Sequence, residues 1–412
     1  MDSDFRPLRE GGVVAVVGGG PGGTSCAIAL KNLSRELRKE IRVVLYEGKI
    51  FENGTHYNQC AGVLSPPLMS IFENDLQASF PHALIQREID GYVLHSNENE
   101  IVMKASGDPT YAVRRINLDE FLINLARSRG VEIIRSRATD LEFGRSGVMV
   151  FSESNNVIAD VVVGAFGMDD GTARIFEKTT AYRQPKYLSS MVVKVHPGEQ
   201  VMKRFGNYIH AFLPPINGID FGAVTPKLNH LTINIAGLDT VIDAMEKFLE
   251  YDPVRALLPL DFDVFSDPDL QFFKGRFPYG VSEGFFGHRY VIVGDAAGLL
   301  RPFKGKGINM GIRTGVRAAR TIMKVGISRH AFKIHYRNAW KDVLGDISYG
   351  KLMRSLAIIG ARWGLLDRVI ESAKKNKIWE RALFDCVSAH KPYKKIITET
   401  IIGSVRRKRV EE

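Results

Sequence analysis

A glycine-rich turn between a predicted strand and a predicted helix is the strongest constraint on how this 412-residue chain folds. The apolar run GVVAVVG is followed by GGPGG and then by the helical pattern TSCAIALKNLSREL. Gly18, Gly20 and Gly23 fit the spacing GxGxxG, in which glycines allow a tight turn, close backbone approach to a pyrophosphate, and close packing of helix on strand. The next strand, IRVVLYE, ends at Glu47, where a carboxylate accepts hydrogen bonds from an adenosine ribose. Residues 12–47 therefore predict a βαβ unit that binds a dinucleotide, with NAD and FAD both open.

The stretch VIVGDAAGLLRPFKGKGINMGIRTG in the second half of the chain favours FAD. It places Asp295 at the end of a strand, and Gly305 and Gly307 at the start of a helix, without bulky side chains that would block a flat ring. The helix N-terminus, flanked by Lys304 and Lys306, offers backbone N–H groups and positive potential to an anion. Because a reduced flavin is anionic at its pyrimidine end, this site is predicted to favour the reduced cofactor.

The length and the pattern of apolar residues predict a composite α/β (α+β) fold, because a chain of this size exceeds one ordinary core. A Rossmann-like FAD-binding domain is predicted over 1–180 and 270–325. Period-2 segments such as SSMVVKVH, NYIHAFLP and LTINIAG predict an antiparallel-sheet substrate domain over 181–269. Residues 326–412 are predicted to form a helical, basic C-terminal region.

Composition indicates a soluble cytoplasmic protein, since apolar residues make up 45% and charged residues 25%. Cys26, Cys60 and Cys386 are odd in number and widely spaced, which fits neither a disulfide framework nor a zinc site. No secretory signal pattern is present, and no run of about 18 apolar residues that would span a bilayer. We therefore predict no metal and a reducing compartment.

The net charge of +10 is concentrated in residues 351–412, which carry 15 Lys and Arg against 7 Asp and Glu. Two interpretations stay open for this region: a solvated helical face, or peripheral contact with anionic phospholipid on the cytoplasmic side of a membrane. Nucleic acid is not expected as a partner, because no nucleic-acid motif accompanies the charge. The apolar residues that recur near helical spacing here also have two possible uses, packing on the core or binding a membrane; they are Ile358, Ile359, Trp363, Leu366, Val369 and Ile370.

The order and spacing of GxGxxG, Glu47, RINLD (115–119) and GDAAGLLRPFKGKGI resemble the FAD-dependent class with the p-hydroxybenzoate hydroxylase-like fold over most of 12–325. Within that class, CAGVLSP (60–66), YIHAFLP (208–214) and RFPYG (276–280) are similar to the geranylgeranyl reductase family, whose members hydrogenate isoprenoid double bonds.

The resemblance implies roles for individual residues. Arg115 would contact the pyrophosphate, and Asp295 the ribitol or pyrophosphate. The isoalloxazine edge would be held by Gly305, Lys306, Gly307 and Ile308. Two positions depart from the pattern: Phe166 stands where the wider class has the Asp of an Asp-Gly motif, and His210 stands where the reductases have Trp.

Cys60 is the predicted proton donor, because alkene reduction by a flavin needs a hydride from the ring and a proton from a nearby weak acid. Ala61 and Gly62 leave its loop free to approach a planar cofactor. The alternative is a packing role, which is the interpretation given to Cys26. Tyr208, His210 and Phe212 project from one face of a strand and are predicted either to line a pocket above the flavin or to belong to the core. Of these, Tyr208 and His210 are the further catalytic candidates.

These features predict an FAD-dependent reductase of carbon–carbon double bonds in an apolar, isoprenoid or lipid-linked substrate. An aromatic hydroxylase on the same fold is the alternative enzyme, and a non-catalytic flavin-binding scaffold is a third hypothesis. A halogenase is disfavoured, because Trp340, Trp363 and Trp379 do not form the pattern Trp-x-Trp-x-Ile-Pro. The electron donor, NAD(P)H or a ferredoxin-like protein, is left open, because no second nucleotide motif is present.

Overall fold

The structure is a computed structural model and describes residues 6–50, 60–105, 107–238, 240, 242–259, 265, 270–300, 307–388 and 391–400. Its strands are β1 (Gly12–Val17), β2 (Ile41–Tyr46), β3 (Val63–Leu64), β4 (Ile85–Ile89), β5 (Gly91–His95), β6 (Glu100–Lys104), β7 (Thr110–Val113), β8 (Glu132–Ile134), β9 (Ala138–Phe143), β10 (Val148–Ser152), β11 (Val157–Ala159), β12 (Val161–Gly164), β13 (Tyr187–Val195), β14 (Tyr208–Phe212), β15 (Phe221–Pro226), β16 (Leu231–Gly237), β17 (Phe273–Pro278), β18 (Phe286–Gly287) and β19 (Tyr290–Ile292).

Its helices are α1 (Pro21–Glu36), α2 (Leu68–Leu76), α3 (Arg115–Ser128), α4 (Asp170–Thr179), α5 (Glu199–Phe205), α6 (Ile242–Glu250), α7 (Asp252–Arg255), α8 (Gly307–Lys324), α9 (Arg329–Ala331), α10 (Lys341–Arg362), α11 (Leu365–Lys375) and α12 (Lys377–Ser388). Residues 393–400 are helical as well.

The first sheet has the order β18-β19-β12-β1-β2-β8 and is parallel from β19 to β8. Parallel strands need crossover connections, and α1 supplies the one between β1 and β2, which confirms the predicted βαβ unit. Helices α1 and α8 cross in direct contact, because a side chain at Gly315 would lie 2.2 Å from the carbonyl oxygen of Gly22. Cys26 is fully buried, consistent with its predicted packing role.

The second large sheet has the order β17-β13-β16-β15-β14-β5-β6 and is antiparallel except between β14 and β5. The predicted mixed fold is thus confirmed, but the boundaries of its antiparallel part differ from those expected. The range predicted for the substrate domain, 181–269, leaves out β5, β6 and β17, which the sheet includes. Strands distant in sequence pair here across long connections, which short-range periodicity does not reveal.

The two faces of this sheet have different surroundings. One face carries Met191, Val193 and Ile233, which form a core together with residues of α6; we call it the His210 face, because His210 pairs with Val224 of the same core. The other face carries residues such as Ile209 and Ala211, which pack in a second core with Val63, Leu366 and Ile370; we call it the Cys60 face, because Val63 follows Cys60. Side chains alternate between the faces along every strand.

The C-terminal helices use their apolar residues in two ways. Leu366 and Ile370 are buried in the core of the Cys60 face, so the packing interpretation holds for them. Side chains at helical spacing on α10 and just after it are more than half exposed: Leu352, Leu356, Ile359 and Trp363. Among the described residues, no helix is both long enough and apolar enough to cross a bilayer.

Candidate flavin and substrate site

The glycine-rich turn is shaped by close contacts on two sides and is open on the third. Gly18 has a φ of 108°, and a side chain there would lie 2.4 Å from the carbonyl oxygen of Ala165 on the neighbouring strand. A side chain at Gly23 would lie 1.9 Å from the carbonyl oxygen of Gly18. A side chain at Gly20, by contrast, would come within 4 Å of only one atom among the described residues, Nη2 of Arg115, at 3.9 Å. The open side of the turn therefore faces a cation, as a pyrophosphate site requires.

Glu47 lies at the end of β2 beside this turn. Its Oε2 accepts a hydrogen bond from the Gly19 backbone N–H at 2.8 Å, and its Oε1 accepts one from the Lys49 N–H at 2.8 Å. The carboxylate is thereby fixed next to the glycines, at the position from which it is predicted to accept from a ribose.

Arg115 is the first residue of α3 and is held by Asp119 one turn later, with Nε donating to Oδ1 at 2.8 Å. Burial alone would lower the pKa of Arg115, but Asp119, Cys60 and Asp295 together raise it above its usual value. The guanidinium therefore stays charged where the turn, Cys60 and Asp295 meet.

Asp295 lies just after β19 and next to the start of α8, since a side chain at Gly307 would lie 3.0 Å from Oδ1 of Asp295. Burial raises the pKa of the Asp295 carboxyl, and the Arg115 charge opposes that effect. Ile308 is buried at the same helix terminus. The predicted contacts of Gly305 and Lys306 lie outside the described residues.

Cys60 is exposed, and its Sγ accepts a hydrogen bond from the Gly62 N–H at 3.4 Å. The segment that follows Cys60 is hydrogen-bonded to two different elements. On one side, the amide of Asn309 in α8 donates to the carbonyl oxygen of Ser65 at 2.8 Å. On the other side, Gly62 accepts from the Val113 N–H at 2.9 Å. The segment after Cys60 is thus held between α8 and β7.

Lys227 is a site residue that the sequence analysis did not identify. It is only 2% exposed, and its Nζ donates to the carbonyl oxygen of Val113 at 3.0 Å. Burial, with smaller contributions from Lys194 and Arg114, lowers the pKa of Lys227 to about 8, while Cys60 acts in the opposite direction. Its sequence context, TPKLNH, is typical of a polar hairpin turn, so the only available signal was one lysine at the end of an apolar strand.

Tyr208 and His210 are not brought to Cys60. Nδ1 of His210 lies 2.7 Å from Nε2 of His95, and its ring packs against Phe205 at 4.7 Å on the His210 face. Tyr208 and Phe212 share that face by strand alternation, and Phe212 is in its core. The sheet therefore separates these three residues from the segment of Cys60. The alternating pattern correctly predicted that the three side chains share one face of the strand, but it did not show that this face is turned away from Cys60.

Phe166, the departure from the wider class, belongs to an aromatic cluster with Phe176 at 5.0 Å and Tyr182 at 5.6 Å. The acidic residues that follow it serve the next helix. Asp169 caps α4 by accepting from the Thr172 N–H at 2.8 Å, and Asp170 pairs with Arg276. This stretch is therefore occupied by packing and capping contacts.

The site as a whole combines an open glycine turn, a charged arginine, a carboxylate at a helix start and an exposed thiol. No family model matches the chain. It is 24% identical over 382 residues to the digeranylgeranylglycerophospholipid reductase of Methanococcus vannielii, covering 85% of this chain and 89% of the relative. The reductase of the same name from Methanococcus aeolicus is 23% identical, with 93% and 97% covered.

Solved structures show the same fold at low sequence identity. A geranylgeranyl bacteriochlorophyll reductase-like protein from Thermoplasma acidophilum superposes with a TM-score of 0.72 at 17% identity, covering 95% of this chain and 98% of the other. The flavin-dependent brominase Bmp2 superposes with a TM-score of 0.63 at 19% identity, covering 96% and 99%. The chain has the fold of flavin-dependent oxidoreductases. Its relatives and structural neighbours support an enzyme of the geranylgeranyl reductase family.

Proposed function

We propose that this enzyme uses FAD to reduce carbon–carbon double bonds in an apolar isoprenoid or lipid-linked substrate, with Cys60 as the proton donor. The observation that carries the proposal is the position of the Cys60 thiol. It is exposed, it neighbours Arg115, and it is attached to the start of α8 through Ser65 and Asn309. A weak acid is thereby available beside the residues predicted to hold the flavin.

The residues around the open turn fit an FAD molecule. Gly20 leaves room for the pyrophosphate, Arg115 would neutralise its charge, and Glu47 would accept from the adenosine ribose. Asp295 would contact the ribitol or pyrophosphate, and the start of α8 at Gly307 would face the isoalloxazine edge. When bound, FAD supplies the hydride for the reduction.

The protein's own part in the reaction is to hold a proton and a substrate in place. Cys60 would hold the proton on Sγ, and the Gly62 N–H fixes the sulfur from one side. Reducing one double bond adds two hydrogens, one as hydride and one as this proton, and no oxygen. A hydroxylase on the same fold would instead add an oxygen atom, so the mass of the product distinguishes the two reactions.

The substrate class follows from what the relatives are named for: two are digeranylgeranylglycerophospholipid reductases. We propose an apolar substrate of this kind, a cytoplasmic location, and peripheral contact with an anionic membrane through Leu352, Leu356, Ile359 and Trp363. This exposed row combines apolar side chains with a tryptophan, as interfacial helices do. Sedimentation with anionic liposomes should be weaker for Trp363→Ser and at high salt. Equal sedimentation of wild type and variant would show that this row does not contact the membrane.

Two measurements test the proposed function. Flavin released from purified protein should be FAD, and Asp295→Ala should be colourless, whereas the exposed control Asp243→Ala should keep its flavin. Dithionite-reduced protein should then be reoxidised without oxygen by geranylgeranyl diphosphate or a geranylgeranyl phospholipid, with product mass increased by two hydrogens. If turnover requires oxygen and the product contains an added oxygen atom, the protein is a hydroxylase and the proposed reductase activity is wrong.

A further inference from the structure

A group of cations collects at one end of the Cys60 face. Lys194 lies opposite Thr232 in the pairing of β13 with β16, and Val193 and Val195 on either side of it point into the core of the other face. Lys194 therefore projects from the Cys60 face. His196, two residues further, has the same orientation, and its ring centroid lies 5.5 Å from that of His230.

The hairpin between β15 and β16 adds two more members. The Lys227 N–H bonds the His230 carbonyl oxygen, so these two residues close the hairpin. The Lys227 side chain reaches the Val113 carbonyl oxygen at the end of β7, and Arg114 is the next residue along the chain. Three separate parts of the fold thus bring basic side chains to one place; we call the group the cation cluster, and its members are Arg114, Lys194, Lys227, His196 and His230.

The acidic group that acts on the cluster is the Cys60 thiol, which raises the pKa of Lys227, and not a carboxylate. None of the described carboxylates forms an ion pair with Arg114, Lys194 or Lys227. Buried cations are ordinarily paired with an anion, because an unpaired buried charge is strongly unfavourable. A cluster that lacks its anion in the protein is therefore suited to receive one from a ligand.

The floor of the cluster also contains unused hydrogen-bonding atoms. Nε2 of His230 and Oγ1 of Thr232 are buried and have no hydrogen-bond partner among the described residues, and both residues are at least nine-tenths buried. Such atoms are rare in folded proteins, and an ion, an ordered water or a ligand group can supply the missing partner. Lys194 is half-buried and Arg114 exposed, so the floor is closed while the rim is open to solvent.

The electrostatics agree with this geometry. After burial, the charges of Lys227, Lys194, His196 and Arg114 all act to lower the pKa of His230, which is about 3. Burial and the charge of Arg114 lower the pKa of Lys194 as well. The groups that act on His230 include two lysines and an arginine, so the potential at the cluster is positive. An anion bound here would relieve the mutual repulsion of these groups.

We propose that Arg114, Lys194 and Lys227 bind the phosphate or diphosphate group of the lipid substrate on the Cys60 face. The inference rests on the proposed function for the identity of the ligand, and it adds the chemical group that positions the substrate beside Cys60. Phosphate offers several acceptor oxygens, which match the amines of two lysines, the guanidinium of the arginine and the unused hydroxyl donor of Thr232. An apolar chain alone would leave these groups unsatisfied.

Binding of inorganic diphosphate by calorimetry tests the site without any turnover. We expect wild-type holoenzyme to bind it, and Lys194→Met and Arg114→Gln each to weaken binding about tenfold, which corresponds to one lost charge-assisted contact. Lys227→Met should weaken it at least as much if that variant folds. Lys203→Met removes an exposed lysine from α5, next to the His210 face, and should bind as wild type does. Equal affinity in the wild type and all cluster variants, or no binding by any of them, would overturn the proposal.

Kinetics with matched substrates identify the source of the phosphate. For Lys194→Met, KM should rise about tenfold with geranylgeranyl diphosphate and stay unchanged with geranylgeraniol, while kcat changes little in both cases. If Lys194→Met instead weakens binding of 2′,5′-ADP and leaves KM for the diphosphate unchanged, a nucleotide is the ligand and the substrate assignment is wrong. If wild type reduces neither prenyl compound but still binds diphosphate through the cluster, the proposed function fails while the anion site stands.

Discussion

The two faces of the seven-stranded sheet both carry basic side chains, but they differ in how far the fold supplies hydrogen-bond partners for them. On the His210 face, His95 and His210 bond to each other at 2.7 Å, and stacking on Phe212 at 4.7 Å covers His95. On the Cys60 face, the Lys227 amine bonds one carbonyl oxygen of the described residues, and Nε2 of His230 is buried without a partner among them. A basic group satisfied within the fold stabilises structure, whereas a basic group left unsatisfied is available to a ligand.

The largest effect on stability should come from removing a buried aromatic side chain on the His210 face. Phe212 is 1% exposed, stacks on His95 and contacts Phe248 at 5.5 Å. Phe212→Ala should lower the free energy of unfolding by about 4 kcal/mol, because a buried aromatic ring leaves a cavity. Urea denaturation measures this, with Phe212→Leu as the control that should cost clearly less. A loss below about 1 kcal/mol would show that this face is not a packed core.

The Cys60 face should respond to alkaline pH. Lys227 has a pKa of about 8 when folded, against about 10.5 when unfolded, so between these values the unfolded chain binds the proton and the folded chain does not. The free energy of unfolding should therefore rise with pH across this window, by up to about 3 kcal/mol from this residue. The difference between wild type and Lys227→Met isolates the effect, because Cys26 and Tyr46, whose pKa values burial raises to about 12, are common to both proteins.

If the difference in the free energy of unfolding between these two proteins does not change from pH 7.5 to 10.5, the pKa of Lys227 is not lowered by the fold. Saturating diphosphate should also flatten the difference, since an anion stabilises the charged lysine and keeps its proton bound.

The His210 face should respond to acid, with a smaller effect. Burial, and then the neighbouring His95, lowers the pKa of His210 to about 3. Between about pH 6.5 and 3 the unfolded chain binds a proton that the folded chain does not, so stability should fall as pH decreases, by about 2 kcal/mol at pH 5. His210→Phe should reduce this acid dependence relative to wild type. If the variant keeps the full acid dependence, the histidine pair is not the cause.

The sequence was most informative where function depends on backbone shape. Gly18, Gly23 and Glu47 lie within one βαβ unit, so their mutual positions follow from local structure, and the structure brings them together around Gly20. Arg115 and Asp295 are distant in the chain, and family resemblance rather than periodicity placed them. For both kinds of residue the contact with a flavin stays a prediction.

The sequence was least informative about the antiparallel sheet. Alternation in SSMVVKVH does separate Lys194 and His196 from the valines between them. It does not show that β16 and the hairpin at Lys227 lie next to them, because strand order depends on pairings between distant segments. For the same reason the strand of His210 gave no indication of which face Cys60 would adjoin.

The most direct test of the account compares Cys60→Ala with His210→Leu in a single anaerobic turnover. Both proteins are loaded with FAD, reduced with dithionite and mixed with geranylgeranyl diphosphate, and the reappearance of oxidised-flavin absorbance is timed. Loss of a positioned general acid should slow Cys60→Ala by about 100-fold or more, whereas His210→Leu should stay within a few-fold of wild type. A slow His210→Leu together with an unimpaired Cys60→Ala would place the reaction on the other face of the sheet and contradict the account.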